Sequence, residues 1–227
     1  MMRADLQSPQ ALDALVDAIL ARRLREIAFN YCSPAAPAPL ARLLRGGELK
    51  SLSVRGLDVQ PFLDSAGAAL VADALHANTT LTCLHVSVPL CRDTAAACTL
   101  LGGLEAHQSL RELRVSTRND AGLAAFGAAV AAIIAADSPV LQSLSVAYVS
   151  LYDAGLAPIV AALPHNHHLR DLDLSRTGPS DAFLRNTLLP AVRANTSLRY
   201  LGLFGSMAEH PAALEAVVLV HSRTQEQ

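Results

Sequence analysis

Seven segments of this chain share the pattern L-x-x-L-x-L, with another apolar residue allowed at the two later positions. They begin at Leu24, Leu49, Leu81, Leu110, Leu141, Leu169 and Leu198, so that successive starts are 25, 32, 29, 31, 28 and 29 residues apart. A repeat of this length is typical of solenoid proteins, in which each unit buries its apolar side against the next one. No other feature of the sequence restricts the fold as strongly.

The residues between these segments repeat as well. Before Leu81 and before Leu169, a small or apolar residue recurs every four positions and an Asn follows; these residues are Gly67, Val71, Leu75 and Asn78, and Gly155, Ile159, Leu163 and Asn166. Asn195 and His107 hold the Asn position in two further linkers. Apolar residues four positions apart indicate one face of a helix. Each unit is therefore predicted to run strand, loop, helix, loop.

These units predict one architecture. In an extended L-x-x-L-x-L segment, the second Leu and the final apolar residue point to the same side of the strand. Parallel strands need a crossover of a dozen or more residues, which the helix provides, and such crossovers are right-handed. Because a layer of helices is wider than a layer of strands, the stack is expected to curve. The predicted fold is an α/β solenoid of about seven strand-helix repeats, a horseshoe with a parallel sheet on the concave side and helices on the convex side.

The units resemble leucine-rich repeats of the ribonuclease-inhibitor-like type, which carry the phrase xxNxxLxxLxL, over roughly residues 24 to 205. The resemblance implies the same horseshoe. One departure concerns the ninth motif position, where the family has Asn or Cys to hold the loop after the strand. Cys32 matches, whereas the other units have Leu57, Pro89, Arg118, Val149, Thr177 and Ser206. We therefore expect individually irregular loops after the strands.

Helical caps are predicted at both ends of one continuous domain. Residues 1–23 form the N-terminal cap, with Ser8 as N-cap and Pro9 at the first helical position; residues 24–205 form the solenoid, and residues 206–227 hold a closing helix and a tail. The closing helix is expected at 210–223, because Pro211 stands near its start and Arg223 near its end. Such caps cover the core surface that the last repeats leave open.

Composition restricts the partners. A net charge of −2 argues against nucleic acid or an anionic membrane surface as the partner. No uninterrupted apolar run reaches the roughly 18 residues of a spanning helix, and the stretch MMRADLQSPQ lacks the apolar core of a signal peptide. The four cysteines, Cys32, Cys83, Cys91 and Cys98, are scattered without a C-x-x-C motif. Free thiols are favoured over a disulfide or a metal site, since a large core needs no cross-link. We expect an intracellular monomer.

Motifs of catalysis are absent from the sequence. It contains no G-x-x-x-x-G-K-[ST], G-x-S-x-G or H-E-x-x-H pattern. The stretch HNHH at 165–168 is compatible with a metal cluster, but a solvated turn before a repeat strand is favoured. Asn78 and Asn195 match glycosylation sequons, but both occupy the repeat's Asn position, where binding to loop backbone is favoured. We therefore predict no enzymatic activity, no cofactor and no metal.

The register of the repeats defines a candidate binding face. Positions three, five and seven of each segment point away from the core, and charged and aromatic side chains concentrate there toward the C-terminal half. The predicted protein-binding residues are Glu112, Arg114, Asp171, Asp173, Tyr200 and Phe204, together with His85 and Arg55. Tyr, Phe and Arg are typical anchors of interfaces. The alternative is that the closing helix covers Tyr200 and Phe204.

A mostly basic row lies beside this face at position two. It consists of Arg25, Lys50, Thr82, Arg111, Gln142, Arg170 and Arg199. An acid follows three of these arginines, and neighbouring strands about 4.8 Å apart allow lateral pairing. Two interpretations stay open: a solvated ladder of weak ion pairs, or part of a charged partner-binding surface.

Two functions follow from these features. The resemblance, together with the missing catalytic groups, favours a scaffold that binds another protein on the concave face. The Ala-rich helices and the phrase ANTSLRYL are similar to leucine-rich repeats of bacterial type III effectors, which act in host cells, and to repeats of some protozoan proteins. The alternative is a GTPase-activating regulator, since some relatives of this repeat type use a loop Arg or Asn; Arg118 and Asn119 are the candidates.

Overall fold

The computed structural model describes residues 9–30, 37–55, 63–87, 91–105, 107–116, 122–205 and 210–224. The chain divides into two compact units, Met1–Leu110 and Arg111–Gln227. Strands in both units are parallel and follow the chain order. The predicted leucine-rich-repeat architecture of alternating strands and helices is thereby confirmed.

The first unit contains three strands in the order β1-β2-β3. They span β1 Glu26–Asn30, β2 Ser51–Arg55 and β3 Cys83–Ser87. The helices span α1 Pro9–Ala21, α2 Pro37–Gly46, α3 Ser65–His76 and α4 Thr94–Gly102. The register places Ile27 beside Leu52 and Leu52 beside Leu84. Leu52 and Leu84 are buried, so the second Leu of the pattern points to the core as expected.

The second unit contains four strands in the order β4-β5-β6-β7. They span β4 Glu112–Ser116, β5 Ser143–Ser145, β6 Asp171–Asp173 and β7 Tyr200–Gly202. The helical elements span α5 Leu123–Ala135, α6 Tyr152–Ala162, a 3-10 turn Leu163–His165, α7 Asp181–Phe183, a π-helical turn Leu184–Leu188, α8 Leu189–Ala194 and α9 Pro211–Ser222. The second leucines of the four segments lie side by side and are buried.

Aspartate side chains cap the N-termini of helices α3 and α4. Asp64 Oδ1 accepts a hydrogen bond from Gly67 N, and Asp93 Oδ1 accepts one from Ala96 N, each at 2.8 Å. Each side chain thus satisfies one of the N–H groups that a helix start leaves without an intrahelical partner. Both caps lie 17 residues before the leucine that opens the next segment. The repeat that starts at Leu49 is the longest, with 32 residues before Leu81. Its additional residues therefore lie between β2 and Asp64.

Buried asparagines join each helix end to the next strand. The Nδ2 atoms of Asn78, Asn166 and Asn195 donate to helix-end carbonyls of the preceding repeat, those of Leu44, Ile134 and Leu163. Their Oδ1 atoms accept from backbone N–H groups two and three residues later. One side chain thus satisfies several buried backbone groups. The structural role predicted for Asn78 and Asn195 is confirmed, since both side chains are buried.

His107 holds the Asn position of its repeat and is 4% exposed. Its Nδ1 atom accepts hydrogen bonds from Ser109 N at 3.3 Å and Leu110 N at 3.2 Å. Burial and the neighbouring His76 lower the pKa of His107, while a hydrogen bond with the Leu75 backbone acts in the opposite direction. The folded protein therefore keeps this ring neutral below the ordinary histidine pKa of about 6.5.

We expect His107→Asn to weaken the pH dependence of stability. Below a pH of about 6.5 the unfolded chain takes up a proton at His107 that the folded protein does not bind, so the stability that is complete above this pH falls as the pH decreases. An Asn in this place preserves both accepted hydrogen bonds and does not titrate. Urea midpoints measured across this pH range should fall less steeply for the variant, and equal slopes would contradict the role of His107.

The loops after the strands differ in part from expectation where the structure describes them. The sequence predicts irregular loops, but Tyr148, Arg176 and Gly205 all stand at the eighth motif position and all have a positive φ, of 63°, 57° and 108°. Thr177 replaces the family's Asn, because its buried hydroxyl donates to Leu174 O at 2.7 Å. Val149 is buried at the same position. The backbone is therefore regular at the eighth position, whereas beyond it the loops differ as predicted, because the next positive φ falls at Tyr152 after β5 and at Gly178 after β6. Cys32, Leu57, Pro89, Arg118 and Ser206 lie outside the described residues.

Helices occupy the predicted cap positions. Helix α1 buries Leu12, Val16 and Ile19, whereas Ser8 lies outside the described residues. Helix α9 begins after His210, whose Nδ1 accepts from Ala212 N at 3.2 Å, and the Arg223 guanidinium donates to Val192 O at 2.8 Å. Among the described residues, none of the helices has both the length and the hydrophobicity that a membrane span requires.

Candidate protein-binding surface

The exposed side of strands β4 to β7 brings together the six predicted residues of the second unit. The register places Glu112, Ser143, Asp171 and Tyr200 in one lateral row, and Arg114, Ser145, Asp173 and Gly202 in the next. The residues between these rows are buried leucines. Alternation along each strand therefore presents the polar side chains on the face away from the core, as predicted.

Two charges of this face neutralise each other. Arg114 Nε lies 2.7 Å from Glu112 Oε1 on the same strand. Arg199 of the predicted basic row donates from Nη1 to the carbonyls of Thr196, Ser197 and Leu198 at 2.8 to 3.1 Å. An exposed ion pair of this kind contributes about 1 kcal/mol or less. This ion pair runs along one strand, and Arg199 of the basic row binds backbone carbonyls, whereas the sequence suggested lateral pairing of that row with acids of neighbouring strands.

The carboxylate of Asp173 has a fixed position. Its Oδ1 accepts from Ser175 N at 3.0 Å, and its Oδ2 accepts from Ser145 Oγ at 3.4 Å. Gly202 lies beside it, and a Cβ atom at that position would collide with Oδ1. The Ser175 hydroxyl in turn accepts from Phe204 N at 3.1 Å. The small residue on β7 thus creates the space that the acid occupies.

Asp171 lies two residues before Asp173 and is half-buried. Burial raises the pKa of its carboxyl group; Arg170 acts in the opposite direction, and Glu112 adds to the increase. The carboxylate makes no hydrogen bond and no ion pair of 4.0 Å or less with any residue of the described part of the chain. We call Asp171 and Asp173 the acidic pair.

Tyr200 and Phe204 are exposed. Phe204 keeps 64% of its surface in contact with solvent and Tyr200 keeps 38%, so the described part of the closing helix does not cover them. Burial, followed by the charges of Asp173 and Asp171, raises the pKa of the Tyr200 hydroxyl. The ring of Tyr200 therefore lies within the negative field of the acidic pair.

A second group of exposed aromatic residues lies outside the predicted set. Tyr148 is 70% exposed and Tyr152 is 55% exposed. The Arg176 guanidinium lies over the Tyr148 ring, 5.5 Å from its centroid, which is a cation–π distance. We call Tyr148, Tyr152 and Phe204, together with Arg176, the aromatic edge. Tyr148 and Arg176 stand at the eighth motif position, directly after the seventh position from which the predicted face was drawn.

Backbone hydrogen bonds fix the aromatic edge. Tyr148 N donates to Ser175 O, Arg176 N to Phe204 O and Tyr152 N to Thr177 O, each at 2.9 Å. These bonds continue the pairing of neighbouring repeats beyond the ends of the strands. The edge therefore belongs to the ordered repeat and not to an independent loop.

His85 and Arg55 belong to the first unit. His85 is half-buried, and its Nε2 lies 3.5 Å from Cys83 Sγ on the same strand. Arg55 ends β2 and pairs with Asn30, but its side chain lies outside the described residues. The predicted set thus divides into six residues on the second unit and two on the first.

The cysteines that the structure describes are free thiols. Burial raises the pKa of Cys91 to about 12, and the nearby Asp93 and Cys98 add to the increase. A thiol with so high a pKa is a poor nucleophile at neutral pH. The prediction of free thiols is confirmed for Cys83, Cys91 and Cys98, whereas Cys32 lies outside the described residues.

The HNHH stretch binds a carboxylate of the preceding repeat. Asp137 accepts from His167 N at 2.8 Å, and its oxygens lie 3.0 and 3.1 Å from Nδ1 of His167 and His168. Partial burial opposes ionisation of Asp137, but these hydrogen bonds prevail and lower its pKa. The two histidines therefore join their turn to the turn that contains Asp137. The two turns are about 30 residues apart in sequence, so the sequence pattern did not indicate this contact.

Comparison with known proteins gives the following result. No family model matches the chain, and no curated protein sequence is detectably similar to it. Among solved structures, the chain is similar to the tropomodulin C-terminal domain of Caenorhabditis elegans, with 12% sequence identity, a TM-score of 0.39 and coverage of 95% of this chain and 96% of that one. It is also similar to actin-binding site 2 of leiomodin-1, with 15% identity, a TM-score of 0.40 and coverage of 99% and 92%. At these sequence identities the similarity concerns the fold and not the function. The function has to be inferred from the side chains of the surface.

Proposed function

We propose that the chain is a non-enzymatic scaffold that binds another protein through the acidic pair, Tyr200 and the aromatic edge. The observation that supports this most directly is the exposure of four aromatic rings on one unit, at Tyr148, Tyr152, Tyr200 and Phe204. Aromatic side chains are enriched at the centres of protein interfaces, where they supply much of the binding energy. Aromatic residues make up 4% of the chain, and a large share of them lies on this surface.

The rigidity of the surface also favours binding. The acidic pair lies on a sheet strand, and backbone bonds between repeats hold the aromatic edge. Side chains on a preorganised framework lose less conformational freedom when a partner binds. The surface therefore suits recognition better than a mobile loop would.

Phe204→Ser combined with Tyr148→Asn should weaken partner binding by about tenfold or more, because interface anchors often contribute about 1–2 kcal/mol each. Both rings are largely exposed, so little packing is lost, and Asn tolerates the left-handed backbone at position 148. The measurement is quantitative affinity capture from cell lysate, with wild type and variant compared protein by protein.

Leu214→Ser provides the matched control for this experiment. Leu214 is an apolar residue of α9 that is 51% exposed, so its replacement removes similar surface at another place. The proposal expects a protein that wild type and Leu214→Ser retain and the double variant loses. A protein that all three chains retain equally would place the interface elsewhere.

GTPase activation through Arg118 and Asn119 stays the alternative. Both residues lie outside the described part of the chain. Stimulated GTP hydrolysis by a small GTPase that disappears with Arg118→Ala would establish this alternative.

Three narrower proposals rest on the sequence. We propose that the repeats are of the ribonuclease-inhibitor-like type, that the chain acts as an intracellular monomer, and that it is an effector delivered into host cells. The repeat phrasing and the Ala-rich helices support the first and third of these proposals. Light scattering tests the monomer, and a translocation reporter fused to the chain tests delivery.

A further inference from the structure

We infer that the surface takes an extended segment of a partner protein, with a Lys or Arg against the acidic pair and an apolar side chain about four residues further along against the aromatic edge. The inference rests on the proposed function and specifies the chemistry of the partner. It depends on the charge of the acidic pair on β6, on the ring of Tyr200 and on the distance between the acidic pair and the aromatic edge.

The acidic pair is an incompletely neutralised negative site. Asp171 and Asp173 are two residues apart on one strand, which places their Cα atoms about 6.7 Å from each other on the same face. Arg114 neutralises Glu112, whereas the carboxylate of Asp171 makes no hydrogen bond within the described residues. Arg170 offsets part of the charge of Asp171, so the pair is partly but not fully neutralised.

Tyr200 adds a second contact for the same cation. It is the direct neighbour of Asp171 in the sheet, at an interstrand distance of about 4.8 Å. A Lys or Arg side chain that reaches the acidic pair therefore also comes near the partly exposed ring of Tyr200, and the faces of aromatic rings attract cations. An acidic or phosphorylated segment would be repelled at this position.

The aromatic edge determines the spacing of the two side chains in the segment. Position seven lies four residues after position three, a distance of about 13 Å along a strand. A partner segment in extended conformation covers this distance with about four of its own residues. Arg176 at the aromatic edge carries a positive charge and disfavours the reverse placement, in which a basic residue would lie beside Tyr148.

A synthetic peptide tests the inference on the intact chain. The probe is a Gly/Ser peptide in which one Lys and one Phe stand about four positions apart, titrated against the isotopically labelled protein with amide chemical shifts as the readout. We expect saturable shifts of amides in the last two repeats, loss of these shifts when Glu replaces the Lys, and a weaker effect when Lys and Phe are adjacent. Equal binding of the Lys and Glu peptides, or no binding of the Lys peptide at millimolar concentration, would overturn the inference.

A pair of matched variants assigns the effect to the acidic pair. Asp171→Asn should weaken binding of the Lys peptide about threefold, whereas Asp73→Asn, the same change at an exposed site on α3, should leave it unchanged. An unchanged affinity of the Asp171 variant would overturn the inference.

Affinity capture separates the inference from the proposed function. If a partner is lost by the double variant of Phe204 and Tyr148 but kept by Asp171→Lys, the protein-binding function stands and the basic segment is refuted. If the double variant loses nothing, the proposed interface itself fails.

Discussion

Gly127→Ala is expected to lower the free energy of unfolding by about 3 kcal/mol or more. Gly127 lies in α5, and a Cβ atom there would fall on the carbonyl oxygen of Gly155 in α6, with the carbonyl carbon at 2.8 Å and Cα at 3.1 Å. All three atoms belong to the backbone, so no change of rotamer relieves the contact and the two helices have to separate. The gain in helix propensity, about 1 kcal/mol, is too small to offset this separation. Urea unfolding followed by circular dichroism measures the difference.

Gly102→Ala is the control for this prediction. Gly102 is the last residue of α4, and a Cβ atom built on it meets no atom within 4 Å. The same substitution should therefore be neutral or stabilise the protein by up to about 1 kcal/mol. Equal midpoints for the two variants would show that α5 and α6 have room for a methyl group, contrary to the structure.

The contact at Gly127 illustrates how far the repeat predicts the fold. Gly67 and Gly155 each stand 14 residues before the leucine of the next segment, and Gly127 stands at the same offset before Leu141. This offset predicts helices, which the structure confirms. It did not predict that a small residue is required there because neighbouring helices touch. The periodicity of one chain reveals which residues are equivalent, but not how closely they approach.

The candidate surface was predicted in part for the same reason. Alternation along the strands is a property of the backbone, so Glu112, Asp171 and Tyr200 were correctly assigned to one face. Tyr148 and Tyr152 lie beyond the strands, where exposure depends on the conformation of a loop. The positive φ of Tyr148 follows from its position in the repeat and from backbone bonds to the next repeat, neither of which an alternating pattern indicates.

The eighth position of the loops is more regular than the ninth-position side chains suggest. The family's Asn at the ninth position is a hydrogen-bonding device, and its absence suggested irregular loops. Thr177 performs a similar task with its hydroxyl, and Val149 fills the same position by packing. Different side chains can thus hold one backbone conformation when the pairing between repeats already favours it.

Asn195→Ala should lower the free energy of unfolding by about 3 kcal/mol. Asn195 is 1% exposed; its Nδ2 donates to Leu163 O at 2.7 Å and to Asn166 O at 2.9 Å, and its Oδ1 accepts from Leu198 N at 2.9 Å. Removal of the amide leaves the buried N–H groups of Ser197 and Leu198 without their acceptor, and each such group costs about 1–3 kcal/mol. Leu163 O and Asn166 O lose one donor each but keep another, Asn166 N and Ser197 Oγ, so they add little to the loss. Chemical denaturation measures the loss.

Asn186→Ala is the matched control, since Asn186 is exposed in the π-helical turn nearby. This variant should differ from wild type by no more than about 0.5 kcal/mol. If both Asn variants have the same midpoint, the buried asparagines do not stabilise the repeat.

Asn195→Asp separates hydrogen bonding from packing. The side chain keeps its shape and its acceptor for Leu198 N, but loses both donors and places a charge beside the carbonyl oxygens of Leu163 and Asn166. Burial and these oxygens disfavour the ionised form, so the folded-state pKa of the new carboxyl group should lie above its unfolded value. The variant should therefore be least stable at neutral pH and should recover as the pH falls through the folded pKa. Wild type, which has a neutral amide at this position, should not show that recovery. A variant as stable as wild type at neutral pH would mean that packing alone, and not the donated hydrogen bonds, holds the end of one repeat to the start of the next.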